Sequence, residues 1–270
     1  MIPYPEIDPV IFSFGPLQVR WYGLMYILGF LATFLLVRQQ IRQFSCHRLA
    51  EHFDNLNLVL ILSVVIGGRL GYVLFYNFSY YLANPLEIPA IWSGGMSFHG
   101  ACLAVIIGGW GYCRVKEVDF WSTADLYAAT LPIGLGFGRI GNFINGELYG
   151  RTTEVSWGMI FPGGGPLPRH PSQLYQAFLE GLVLFVILWM VHRKPWQGRA
   201  YWPHGSIFAL FLIGYGLLRI GVENFREPDA HLGYLFGLVT MGQILSAAMI
   251  LCGLLIWVVR YRQQGDRRLL

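Results

Sequence analysis

The chain has 270 residues, of which 55% are apolar and only 13% charged, with a formal net charge of +4. Soluble proteins average about 25% charged residues, and the mean hydropathy here is +0.49. This balance excludes a disordered chain, a nucleic-acid-binding tail and an ordinary soluble enzyme.

No cleavable leader is expected at the start, because the first basic residue is Arg20 and a charged opening segment is missing. Seven apolar stretches follow: Trp21–Val37, Leu56–Phe75, Met96–Tyr112, Phe120–Ile144, Ser172–Val191, Gly205–Val222 and Leu235–Val259. Each is long enough to approach or span a hydrocarbon core, and a backbone in lipid must satisfy its own hydrogen bonds, so helices are expected. The predicted fold is an all-α integral membrane protein, one embedded domain over residues 1–270 with a small extracytoplasmic head at 145–171.

Basic residues set the expected orientation. Of the 19 Lys and Arg, twelve flank one alternate set of span ends (Arg38, Arg42, Arg48, Arg114, Lys116, Arg193, Lys194, Arg199, Arg260, Arg262, Arg267, Arg268). Four flank the other: Arg20, Arg151, Arg169 and Arg226. Positive charge marks the cytoplasmic side, which puts the N-terminus outside and the C-terminus inside.

The remaining three basic residues, Arg69, Arg139 and Arg219, lie inside predicted spans. A charge there is costly and marks a functional site. Each is expected at about 5–9 Å below the outer interface at 1.5 Å per residue. They share a local pattern, Gly68-Arg69-Leu70-Gly71, Gly138-Arg139-Ile140-Gly141 and Leu218-Arg219-Ile220-Gly221. The glycines leave room for close helix packing or for a ligand. Snorkelling to the surface is the alternative for any one arginine.

Other polar residues fall on the same side: Tyr22, Ser97, His99, Asn142, Asn145 and Glu147. Tyr215, Arg219 and Glu223 form a stripe at four-residue spacing. Arginine in a partly dry site pairs with phosphate or carboxylate in forked geometry. An anion at headgroup depth suggests a phospholipid. Asp125 and Gln39, toward the inner side, read as packing or interface residues.

The four cysteines, Cys46, Cys102, Cys113 and Cys252, have no metal or redox spacing and read as small buried hydrophobes. No P-loop, zinc-protease or nucleophile-elbow motif occurs. His47 and His52 read as surface residues rather than metal ligands. A retinal-type receptor would need a lysine in a span, and Lys116 and Lys194 both lie in loops. An anion transporter would show charges near the midplane and paired broken helices, and a structural subunit would leave three arginines at one level unexplained.

Gly138-Arg139-Ile140-Gly141-Asn142-Phe143-Ile144-Asn145-Gly146-Glu147 resembles the signature of the prolipoprotein diacylglyceryl transferases. The resemblance continues through Trp21-Tyr22-Gly23-Leu24-Met25-Tyr26, Gly67-Gly68-Arg69-Leu70-Gly71-Tyr72, Gly94-Gly95-Met96-Ser97-Phe98-His99-Gly100, Arg169-His170-Pro171-Ser172-Gln173-Leu174-Tyr175 and Tyr215-Gly216-Leu217-Leu218-Arg219. It implies a seven-span bacterial inner-membrane enzyme that moves a diacylglyceryl group from phosphatidylglycerol to the lipobox cysteine of a prolipoprotein signal segment. Glycerol 1-phosphate would leave. The resemblance also implies that Arg139 and Arg219 matter most, with Tyr22, His99, Asn142, Glu147, Gly150, Tyr215 and Glu223 in support. The loop Asn145–Pro171 is shorter than in some relatives.

Such a reaction displaces a phosphate ester at a glycerol carbon, and the substrate supplies the thiol. His99 is the candidate proton acceptor, since a thiol ionises near pH 8.5 and imidazole titrates near neutrality. Tyr215 could instead position or relay a proton. Arg139 and Arg219 would hold the phosphate, Glu223 would orient Arg219, and Glu147 would orient Arg139 or bind headgroup hydroxyls. Arg69 stands equally between packing and headgroup contact. No cofactor, metal or nucleic-acid partner is expected. Both substrates are expected to enter from the outer leaflet.

Overall fold

The computed structural model describes residues 2–15, 17–197, 202–227, 234–235 and 239–269. Arg199, counted among the basic flanks, lies outside the described residues, as do the side chains of Arg267 and Arg268. The chain divides into two compact units, Met1–Gln40 with Ala124–Leu270, and Ile41–Thr123.

An N-terminal hairpin, absent from the sequence expectation, precedes the first helix. Strands β1 (Val10–Phe14) and β2 (Leu17–Arg20) pair antiparallel, and Gly15 in the turn has φ +59°. Strand β1 is apolar at four of its five positions without alternation, and β2 alternates over only four residues, so periodicity does not separate them from a span flank.

Helix α1 (Trp21–Gln43) follows directly. The predicted fourth span is two helices, α5 (Phe120–Ala128) and α6 (Leu131–Ile144). Pro132 in the first turn of α6 has no N–H to continue a helical ladder, and the Thr130 hydroxyl donates to the Tyr127 carbonyl at 2.9 Å across the break.

The predicted fifth span is also irregular. It comprises α7 (Ser172–Gln176), a π-helical turn at Ala177–Val183, and α8 (Leu184–Val191). Gly181 in that turn packs on Gly136 of α6, where a methyl group on Gly181 would fall 2.7 Å from the Gly136 Cα.

Helix α9 (Ser206–Glu223) starts where Asp125 accepts from the backbone N–H groups of Gly205 and Phe208 at 2.7 and 2.9 Å. Asp125 is therefore a packing residue, as expected, and its role is a helix cap. At the neighbouring pair Gln39 is exposed, whereas Gln40 is buried and donates to the Leu126 carbonyl at 3.0 Å.

The last helix begins later than the predicted seventh span. Residues β3 (Tyr234–Leu235) and β4 (Val239–Thr240) pair antiparallel, and α10 spans Met241–Leu269. A core of Ala128, Ala129, Leu184, Leu188, Ile207 and Phe211 joins α5, α8 and α9. Tyr4 closes a second cluster with Phe143 and Phe161, and its hydroxyl donates to the carbonyls of Phe143 and Ile144 at 2.6 and 3.0 Å.

The other unit is built on α2 (His47–Phe75), α3 (Phe78–Ala83) and α4 (Phe98–Val115). Helices α2 and α4 are in backbone contact: a methyl on Gly71 would fall 2.8 Å from the Gly100 Cα, and one on Gly100 would fall 2.4 Å from the Gly67 carbonyl oxygen. Small residues allow this approach.

Among the described residues, five helices are long and apolar enough to cross a membrane: Trp21–Gln43, His47–Phe75, Ser172–Trp196, Ser206–Glu223 and Met241–Gln264. The glycine-rich α4 and the broken α5–α6 pair stand outside that set. The long helices leave Ile27, Phe30, Leu31, Leu35, Leu58 and Ile61 exposed, as an apolar solvent permits. The cysteines are all free, but only Cys113 is buried; Cys102 and Cys252 lie on exposed helix faces. The expectation of small buried hydrophobes therefore holds for one of the four, because an exposed face in lipid is no less apolar than a core.

Candidate active site

The π-helical turn carries the residue on which the site is organised. Glu180 is fully buried. Its Oε2 lies 3.9 Å from Arg139 Nε of α6, and its Oε1 lies 3.9 Å from Arg219 Nη1 of α9. The extra backbone residue of a π turn re-aims side chains locally, a device common at functional sites. One buried carboxylate thus faces two guanidiniums, each beyond close donating distance, so both keep donor capacity for an anion.

Arg219 is fixed from its other side. Its Nη2 lies 2.9 Å from Glu223 Oε2, one turn along α9. Glu223 Oε1 accepts from the Thr240 hydroxyl at 3.0 Å and lies 3.7 Å from Arg226 Nη1. A methyl on Gly242 would fall 2.7 Å from Glu223, so the start of α10 closes over this carboxylate. Arg219 and Glu223 of the predicted stripe are thus in ion-pair contact. The third member, Tyr215, faces Glu180 and Arg139 with its hydroxyl.

A second group sits at the C-terminal end of α6. Glu147 Oε1 accepts from Asn142 at 2.8 Å and from Asn145 at 3.3 Å. Tyr22 lies against Gly141, faces Asn142 and Glu147, and pairs with the Tyr26 hydroxyl at 3.0 Å. The expectation that Glu147 orients Arg139 is not what the geometry gives: among the described residues its partners are asparagines. Asn142 and Arg139 are three residues apart, so α6 presents both on one face.

Gly150 lies where three backbone segments meet. Its N–H donates to the His170 carbonyl at 2.8 Å, it bridges to Arg226, and a methyl there would fall 2.3 Å from the Phe225 carbonyl oxygen. There is no room for a side chain at this position. Arg169 stiffens the same region by donating to the Gly164 carbonyl at 2.7 Å and pairing with Glu227 at 3.0 Å. His170 meets the Tyr175 hydroxyl at 3.1 Å, and burial holds its imidazole below the ordinary pKa.

Arg69 and His99 belong to the other unit. Arg69 is 3% exposed. It donates to the carbonyls of Glu87, Ile88, Gly94 and Gly95 at 2.8, 2.7, 2.6 and 3.3 Å, and lies over the Tyr81 ring. Backbone carbonyls therefore engage its Nε, Nη1 and Nη2. His99 is exposed in the first turn of α4.

The sequence reading missed Glu180. The rule that singled out three arginines, an ionisable residue within an apolar span, applies equally to it. Thr240 and Gln173, which donates to the Glu147 carbonyl at 2.6 Å, carried no such signal.

A family model described as prolipoprotein diacylglyceryl transferase matches residues 9–259. The chain belongs to that family. Curated relatives carry the name phosphatidylglycerol–prolipoprotein diacylglyceryl transferase. One from Desulfotalea psychrophila is 63% identical, covering 96% of each chain. One from Geobacter sulfurreducens is 52% identical over 97% of this chain and 98% of its own. One from Pseudoalteromonas atlantica is 51% identical over 97% and 93%. Membership in the diacylglyceryl transferase family, together with the long apolar helices, makes the chain a multi-pass membrane enzyme.

Proposed function

We propose that the chain transfers the diacylglyceryl group of phosphatidylglycerol to the lipobox cysteine of prolipoproteins, with Arg139 and Arg219 holding the phosphate that leaves. The carrying observation is Glu180, a fully buried carboxylate shared by two guanidiniums. Charges in a dry site are retained where they do chemistry. Fixed donors aimed at developing charge can supply several kcal/mol of transition-state stabilisation.

The reaction forms a carbon–sulfur bond and breaks a carbon–oxygen bond at the glycerol. The thiol proton must leave first, and the phosphate oxygen gains negative charge as glycerol 1-phosphate departs. Arg139 and Arg219 meet that charge. Glu180 offsets the repulsion between the two guanidiniums and so lets them stand close together, and Glu223 fixes the plane of Arg219. Tyr215 orients Arg139 or relays a proton. His99 takes the thiol proton, and Tyr22, Asn142 and Glu147 bind headgroup hydroxyls. Gly150 supports the head through its backbone.

The orientation belongs to the same proposal. Seven spans form one embedded domain in the bacterial inner membrane, N-terminus outside and C-terminus in the cytoplasm, with the reaction at the outer leaflet. Cysteines introduced in the 145–171 loop should react with an impermeant thiol reagent on intact spheroplasts, and one at Lys194 only after lysis. The reverse order would invert the topology.

The deciding assay mixes the purified protein, phosphatidylglycerol and a lipobox peptide. A diacylglyceryl mass increment on the peptide cysteine, with glycerol 1-phosphate released, is the expected result. An unmodified peptide with the folded protein present would refute the assignment.

A further inference from the structure

We propose that Arg69 is a positioning residue that clamps the segment Gly94–His99 and so fixes the histidine at the start of α4; the catalytic consequence rests on the proton-acceptor role given to His99 above. Arg69 lies near the end of α2, and its three nitrogens reach four backbone carbonyls on the connection to α4, two of them on consecutive glycines.

Those glycines are not interchangeable with other residues. Gly94 and Gly95 have φ of +83° and +78°, a left-handed conformation that L side chains rarely adopt. Two successive residues in that region turn both carbonyls toward Arg69 Nη1. A methyl on Gly95 would fall 2.5 Å from the Tyr72 ring, so the neighbouring helix enforces the same choice.

The clamp continues into the helix. The Ser97 N–H donates to the Gly68 carbonyl at 2.8 Å, beside Arg69 in α2. The Ser97 hydroxyl caps α4 by accepting from the Gly100 N–H at 3.2 Å. Gly100 then packs backbone to backbone on Gly67 and Gly71. His99 lies between the cap and this contact, so its Cα is fixed from both sides while its side chain is exposed. The clamp needs an arginine because the planar guanidinium fork spans several carbonyls, whereas the ammonium of lysine is a compact point donor.

The experiment compares Arg69→Lys with the unaltered enzyme in phosphatidylglycerol vesicles. Amide hydrogen exchange over residues 94–100 should rise in the variant, whatever its activity. Turnover should fall between about ten- and a hundredfold, as expected when a reacting group is displaced by about an ångström. The KM for phosphatidylglycerol should stay within about twofold, and raising the pH toward the thiol pKa of about 8.5 should restore part of the rate. The double variant with His99→Gln should be no slower than His99→Gln alone.

A raised KM with turnover retained would make Arg69 a headgroup ligand and overturn the clamp. So would unchanged exchange over 94–100, or additive losses in the double variant. If His99→Gln turns over normally, the proton-acceptor role fails by itself, and exchange still decides whether Arg69 holds the segment. Should Arg69→Lys fail to insert, Gly95→Ala provides the second route: it keeps the arginine, spoils the carbonyl geometry, and should give the same exchange and pH signature.

Discussion

Gly181 and Gly136 meet so closely that the π-helical turn of the fifth apolar segment and helix α6 are in backbone contact. That contact sets the distance between Glu180, one residue before Gly181, and Arg139, three residues after Gly136. Gly181→Ala should push the two segments apart, at a cost of about 1–3 kcal/mol for overpacking. Transfer should fall by at least about tenfold, since small displacements at a reacting centre are expensive. A variant that melts lower but transfers normally would uncouple the turn from the site.

Arg139→Lys keeps the positive charge and loses the fork. If the phosphate is held bidentately, activity should drop by roughly a hundredfold, the range seen on losing one pre-oriented donor. Folding and membrane insertion should persist. Near-normal turnover would show that a point charge suffices.

Arg219 and Glu223 are in contact at 2.9 Å, so their substitutions should not add. Arg219→Ala should cut transfer by about a hundredfold or more while leaving a measurable rate, Glu223→Gln should weaken it less, and the double variant should match Arg219→Ala alone. Independent losses in the double-mutant cycle would remove the proposed pairing.

Asp125 tests the scaffold apart from the chemistry. Its bond from Gly205 is buried and that from Phe208 partly buried, and Asp125→Ala leaves both donors without their carboxylate. A loss of about 2 kcal/mol is expected from cap and buried-donor values. The thermal midpoint should fall, while the KM for phosphatidylglycerol in the folded fraction should hold.

His170 gives the head a pH dependence. Burial lowers its folded pKa, while the unfolded group titrates near 6.5. Below that value the unfolded chain binds the extra proton first, so stability falls as pH drops toward the folded pKa, and is fully present above about 6.5. His170→Gln should flatten the melting profile between pH 5 and 7, a window chosen around that ordinary value. An unchanged slope would place the titration elsewhere.

The sequence made some of this architecture legible and hid the rest for physical reasons. Helical stretches and intramembrane arginines stand out because lipid penalises polarity. The break at Thr130–Pro132 was readable from its proline, yet the apolar run on both sides masked it. Glu180 was visible by the same rule as the arginines. Its sharing between two guanidiniums was not, because the π turn that aims it depends on the Gly136 contact. The partners of Arg69 were equally hidden: they are backbone carbonyls 18 to 26 residues away, which carry no residue signature. The bonds of Glu147 to Asn142 and Asn145, five and two residues away, were hidden as well, because asparagines at such spacing carry no charge signal.

Tyr4 bonds to carbonyls 139 and 140 residues further along the chain. During synthesis its partners do not exist until more than half the polypeptide has been made. Contacts of such separation close late, because the loop entropy must be overcome before they form. The N-terminal segment therefore waits undocked until the chain has been made through the end of α6. Its docking there reports that α6 is complete.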